Sequence, residues 1–214
     1  MSLILPFIFA AVCAYLFGSI SSSVIITKIA TGTDIRKHGS GNAGATNVLR
    51  TAGKLPAVIT FLCDFLKCIF AVLVAVLFAK IFNMKDEYIQ LLKYTCGIFC
   101  MIGHIYPVFF GFKGGKGVTV AAAIMLLLDW RCFIIGISVF IIIVLVTRLV
   151  SLGSVLSSLT LPFLTIFFQT IDRQPYAVAD TLLVSIISAI IIFKHRVNIV
   201  RLINGTEPKI KSKK

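Results

Sequence analysis

Seven stretches of the chain are almost free of charge, and the polar residues between them come in short clusters. A helix that crosses a bilayer needs about 20 mostly apolar residues. Residues 3–29, 56–81, 88–111, 152–171 and 176–193 meet that length or come close to it. Residues 118–128 and 133–146 are shorter, and only Asp129, Trp130 and Arg131 stand between them as a polar turn. The pattern gives seven spanning helices if both short runs cross, and five if they form a re-entrant hairpin. Seven is the reading adopted: an all-α, polytopic membrane protein. The first run lacks a basic segment ahead of it and an A-x-A site after it, so it reads as a retained helix and not a cleaved leader.

Composition agrees. Of 214 residues, 58% are hydrophobic and only 14% are charged, against about 45–50% and about 25% in soluble domains. One membrane domain over residues 1–207 is expected, followed by a basic tail at 208–214. The net charge of +13 would suggest nucleic acid in a soluble chain. Here the basic residues lie in the links between apolar runs, which points to membrane orientation and anionic ligands, with no nucleic-acid partner. Fifteen of the 21 Lys and Arg residues fall in one set of alternate links and the tail; Lys80, Lys85, Arg131 and Arg173 form the other set, with Lys67 and Lys93 inside helices. Basic links stay cytoplasmic, so the N-terminus is expected outside and the C-terminus in the cytoplasm. The tail would be attracted to anionic headgroups. Six cysteines sit in or beside apolar runs without metal-ligand or disulfide spacing.

Three segments carry candidate chemistry, all on the side with the basic links. The first runs from Asp34 to Arg50. Gly39, Gly41 and Gly44 are expected to reach positive φ and let backbone approach a ligand, forming an anion nest. Ser40, Asn42, Thr46 and Asn47 add neutral polar groups, and Arg36 and Arg50 add charge suited to phosphate. The second runs from Gly103 to Gly117, with His104, Lys113, Gly114, Gly115 and Lys116. It is not a Walker A motif, since Gly117 follows Lys116 and Phe110 stands where a glycine is needed. Its glycines still lead into a helix at Val118, whose N-terminus favours anions. The third is 195–207, where His195, Asn198 and Arg201 recur every three residues and share a helical face. Arg148 and Ser151 could reach the same pocket. Asp64 and Lys67, at i and i+3 inside a spanning helix, are expected to form an ion pair, and Ser19 and Ser21–Ser23 to let helices pack closely.

At these residues the chain resembles the bacterial membrane acyltransferases that use acyl phosphate to acylate glycerol 3-phosphate. The resemblance rests on GSGNAGATNVLR at 39–50, GHIYPVFFGFKGGKGV at 103–118 and HRVNIVRLINGTE at 195–207. GSI at 18–20, CDFLKC at 63–68 and RLVSLGS at 148–154 add weaker support, and the serine run at 21–23 departs from the pattern. The resemblance implies a seven-helix fold in the bacterial inner membrane, with a site facing the cytoplasm. It implies that acyl phosphate and glycerol 3-phosphate give lysophosphatidate and inorganic phosphate, the first acylation of phospholipid synthesis; no cofactor is expected, and no carboxylate cluster in the sequence argues for a metal. By motif match, Ser40, Arg50, Lys116, His195 and Asn198 are catalytic or phosphate-gripping. Arg36, Gly39, Gly41, Asn42, Gly44, Thr46, Asn47, His104, Lys113, Gly114, Gly115, Ser151 and Arg201 would line the substrate site.

An acyl phosphate is a mixed anhydride, already activated toward attack. No Ser-His-Asp arrangement or G-x-S-x-G elbow is readable, so direct transfer is expected, with the substrate's own phosphate taking the proton. The rival reading is a transporter of a phosphorylated solute. It would need a polar stripe through several helices, and it lacks the inverted repeat common to that class.

Overall fold

The computed structural model describes residues 4–210 and divides at the Ile124–Met125 boundary into two compact units. Of the basic tail, Lys211, Lys213 and Lys214 lie outside the described residues. Among the described residues every regular element is helical.

In the first unit, the leading apolar run is broken. Helix α1 (Ile4–Gly18) stops, Ser19–Ser21 leave the helical path, and α2 (Ser22–Thr31) resumes it. The break exposes the Ile20 carbonyl, which accepts a hydrogen bond from Lys67 Nζ at 2.8 Å. A short helix α3 (Ala45–Thr51) follows the first polar loop, and then α4 (Lys54–Ile81) and α5 (Asp86–Ile105). Close packing of α1 on α5 comes from glycines. A Cβ at Gly18 would lie 2.2 Å from Cys100 O, and one at Gly103 would lie 2.2 Å from Tyr15 O. Without a hydrophobic drive between helices in lipid, such backbone proximity is what gives van der Waals contact its full strength. Under the polar loop, Val24, Ile35, Ala43, Val48 and Ala57 form a small apolar core with Phe110 against it. That core anchors a loop that would otherwise be polar and unsupported.

Helix α6 (Val118–Leu128) is 11 residues long; at about 1.5 Å per residue it spans roughly half a bilayer core. The second unit continues with α7 (Trp130–Thr147), α8 (Val150–Ile171), α9 (Ala177–Lys194) and α10 (Arg196–Ile203). Its core gathers Met125, Cys132, Leu161 and Val184. The expectation of two short runs holds only for α6. Helix α7 starts at Trp130 because Asp129 caps it, its carboxylate accepting the Arg131 N–H at 2.9 Å. At 18 residues α7 is long and apolar enough to cross alone. Counting α1 and α2 together as one interrupted span, the described residues hold six segments able to cross, plus the shorter α6.

Candidate active site

The loop between α2 and α3 is built around one amide. Asn47 is 1% exposed. Its Oδ1 accepts the Ser40 N–H at 3.0 Å, and its Nδ2 donates toward the carbonyls of His38 (2.9 Å), Asn42 (3.1 Å) and Ile35 (3.3 Å). Asn47 therefore shapes the loop from inside, where sequence reasoning had placed it among direct ligands. Gly39 and Gly41 have the expected positive φ, 59° and 71°. Gly44 does not: at φ −150° it is extended and serves as the N-cap residue of α3. Three of the loop's amides bond internally: Ser40 N to Asn47 Oδ1, Gly41 N to His38 O and Gly44 N to Asn42 O. Ser40 and Arg50 are both exposed.

Arg36 is also placed differently from expectation. Its guanidinium grips Asp34 through Nε and Nη2, the latter at 2.7 Å, and donates from Nη1 to Phe110 O at 2.5 Å. Hydrogen bonding to Arg36 holds the Asp34 carboxyl down at about 2 against the opposing effect of burial. Arg36 is therefore a clasp joining the first loop to the 108–110 turn. Asp34, its anchor, was not singled out by sequence because a lone acid in a basic loop carries no periodic signal.

The second loop folds back on the end of α5. Gly114 N donates to Ile105 O at 3.2 Å and Gly115 N to His104 O at 3.1 Å. These two glycines are needed for proximity and not for positive φ. A Cβ at Gly114 would sit 2.1 Å from His104 O, and one at Gly115 would sit 2.2 Å from His104 Nε2 and 2.9 Å from Ala43 O. Ala43 belongs to the first loop, so the two loops abut at Gly115 as well as at Arg36. Their amides being occupied, Gly114 and Gly115 shape the turn, while Lys113 is exposed, Lys116 half-buried, and the N-terminus of α6 follows immediately.

His104 is buried and does not cap a carbonyl. Its Nδ1 faces Lys67 Nζ at 3.2 Å, and Lys67 in turn bonds Asp64 Oδ1 at 2.8 Å. The expected Asp64–Lys67 pair is present and extends to a third member.

The second unit holds its own polar cluster. His195 ends α9 and begins α10; its Nδ1–H donates to Ile191 O at 2.8 Å, which in the neutral ring leaves the lone pair on Nε2. Asn198 Nδ2 and Ser151 Oγ both donate to Glu207 Oε1, at 2.7 and 2.8 Å, and Arg201 Nε donates to Oε2 at 2.7 Å. Ser151, Asn198 and Arg201 thus converge, but on a carboxylate. Burial acts to raise the Glu207 pKa, and the hydrogen bonds from Arg201, Asn198 and Ser151 outweigh it, so the carboxyl lies below its usual range. Ile210 N donates to Arg148 O at 2.9 Å, so the segment carrying Glu207 lies along the α7–α8 turn and is not a detached tail. Sequence reasoning missed Glu207, although it is the single acid in the basic stretch 194–214.

A bundle of apolar helices that carries glycine-shaped turns bearing Ser, Arg and Lys at one end of a unit defines a class: an integral membrane protein built to hold phosphorylated reactants. Comparison with known proteins makes this specific. The family model for glycerol-3-phosphate acyltransferase matches residues 8–205. The glycerol-3-phosphate acyltransferase of Clostridioides difficile (strain 630) is 41% identical over 99% of this chain and 98% of its own. That of Bacillus subtilis (strain 168) is 38% identical over 94% and 95%. A crystal structure of PlsY (YgiH), an integral membrane glycerol 3-phosphate acyltransferase, in its glycerol 3-phosphate form superposes with a TM-score of 0.80, 36% identity and 96% coverage of both chains. The lysophosphatidic acid form gives 0.78 at 35% identity. The chain belongs to the glycerol-3-phosphate acyltransferase family and is a membrane acyltransferase; the transporter reading is set aside.

Proposed function

We propose that this enzyme takes its acyl group from acyl phosphate and delivers it to the 1-hydroxyl of glycerol 3-phosphate at the cytoplasmic face of a bacterial inner membrane. The observation that carries the reading is the double fastening of the two glycine-containing loops. Arg36 bonded to Phe110 O and Gly115 packed on Ala43 hold Ser40, Arg50, Lys113 and Lys116 on one rigid frame. Cations and hydroxyls held in place before the substrate arrives cost little reorganisation at the barrier, which is how charge developing on a phosphate is best stabilised. Solved relatives described in glycerol 3-phosphate and lysophosphatidic acid forms support a phosphorylated acceptor and a lysophosphatidate product here.

The chemistry needs little from the protein. The 1-hydroxyl oxygen attacks the acyl carbonyl, the C–O bond to phosphate breaks, and inorganic phosphate leaves with the hydroxyl proton. Positioning of two bound reactants and neutralisation of phosphate charge by Arg50 and Lys116 are then the main contributions. The roles of His195 and Asn198 rest on their motif match. The Nδ1 bond to Ile191 O supports a neutral His195 whose Nε2 can accept a proton or orient an oxygen. The continuous match over residues 8–205 supports a single acyltransferase domain. Cytoplasmic placement rests on the distribution of Lys and Arg, and an outside N-terminus requires α6 to count as a crossing.

The deciding experiment is an assay of detergent-purified protein with synthetic acyl phosphate, and the same assay with acyl-CoA. Turnover with acyl phosphate alone is expected. Turnover with acyl-CoA alone would overturn the donor assignment.

A further inference from the structure

Lys67 stands in the middle of a membrane-spanning helix, is 8% exposed, and takes no direct part in the proposed chemistry. An ammonium carries three N–H donors, and three acceptors surround this one: Asp64 Oδ1 at 2.8 Å, Ile20 O at 2.8 Å and His104 Nδ1 at 3.2 Å. Each comes from a different helix or break. Asp64 is one turn back on α4, Ile20 lies in the interruption between α1 and α2, and His104 is in the last turn of α5. If the pair served stability alone, well-packed apolar residues would do as well or better in an apolar surrounding. The third acceptor gives the pair a further use.

With Nδ1 accepting from Lys67, the ring hydrogen of neutral His104 lies on Nε2, the edge against Gly115. The fit there is too close for even a methyl group, with a Cβ at Gly115 falling 2.2 Å from Nε2 and 2.9 Å from Cε1. The carbonyl of the same residue accepts the Gly115 N–H. His104 is thus the floor of the turn that presents Lys113 and Lys116, and a rotation of its ring would displace that turn. We propose that Lys67 is a positioning residue. Held by Asp64 and the Ile20 carbonyl, it locks the His104 ring and so sets the shape of the 113–117 turn and its affinity for a phosphorylated reactant. The proposal rests on the reading of that turn as a phosphate holder.

The test is steady-state kinetics on the double variant Asp64→Asn/Lys67→Met, which removes both buried charges together and leaves neither unpaired. Acyl phosphate and glycerol 3-phosphate are each varied at saturation of the other. The KM for at least one of them is expected to rise roughly tenfold or more, with kcat at saturation within about threefold of wild type. Both KM values within about twofold of wild type would overturn the proposal, whatever happens to the melting temperature, as would a kcat loss at unchanged KM. Should the double variant not accumulate folded, Lys67→Arg is read the same way; it keeps the charge but cannot place one compact donor on all three acceptors. Wild-type protein without acyl-phosphate-dependent turnover would count against the underlying reading. Wild-type turnover with unmoved KM values in the variant counts against Lys67 alone.

Discussion

Single residues in this protein divide by how deeply the fold buries their polar groups. Arg50, in the last turn of α3, is exposed and Lys116, in the second loop, is half-buried, so truncating either side chain is expected to leave the frame folded. Lys116→Ala and Arg50→Ala are each expected to lower turnover about 10²–10³-fold, as for loss of one charge-stabilising donor, with the melting temperature in detergent unchanged. Asn47 is the opposite case. Losing its four internal bonds should destabilise by about 3 kcal/mol or more, at about 1 kcal/mol per bond. Asn47→Asp should be worse than Asn47→Ala, because it turns an acceptor toward the carbonyls of His38, Asn42 and Ile35; thermal melts of both variants check this order. Glu207 is likewise structural in geometry. Its pKa is below the ordinary value of 4.5 in the folded protein, so the stability it contributes is complete above that value and is lost as pH falls through the folded value. The wild-type melting temperature should therefore drop on acidification below about 4.5. Glu207→Gln should start lower and respond less, since the Arg201 Nε–H would then face an amide nitrogen or an unbalanced oxygen.

Elements are specified with different clarity. Long helices follow from apolar length, and their ends from the polar clusters, so α4, α5, α8 and α9 fall close to the positions that the pattern predicts. The interruption at Ser19–Ser21 is not visible in hydropathy, because serine is tolerated inside a membrane helix and the break is stabilised by a lysine 47 residues away along the chain. The second loop shows the same dependence on distant contacts. Glycines at 114 and 115 are legible as a turn, but their reason is the body of His104 beneath them. Gly115→Ala is expected to push the 113–117 turn off that floor, raising the KM for a phosphorylated substrate well before it lowers the melting temperature. Unchanged KM with a lowered melting temperature would show the contact to be packing only.

For the molecule as a whole, the asymmetry of basic residues predicts which ends of the helices face the cytoplasm. Lys37→Cys and Lys113→Cys, on a background with Cys63 replaced by serine, should react with an impermeant thiol reagent only from the cytoplasmic side, and Lys85→Cys only from the other. Labelling of positions 37 and 113 from opposite sides would separate two loops that Arg36 and Gly115 hold together, and would end the proposed mechanism.

What the amino-acid sequence determined by itself was the class: apolar runs too long and too uncharged for water, basic links on one side, and two loop motifs specific enough to place the family. Those properties are local, because transfer into lipid depends on each segment's own composition and phosphate affinity on the cations a loop carries. Which polar groups face inward was decided only by tertiary structure. Asn47, Arg36, Gly115 and Glu207 each carry side chains or backbone that could serve a ligand equally well, and, apart from the local Arg36–Asp34 pair, their partners lie 5 to 74 residues away along the chain. A buried donor takes whatever acceptor folding brings to it, since leaving it unpaired costs more than any local preference can return.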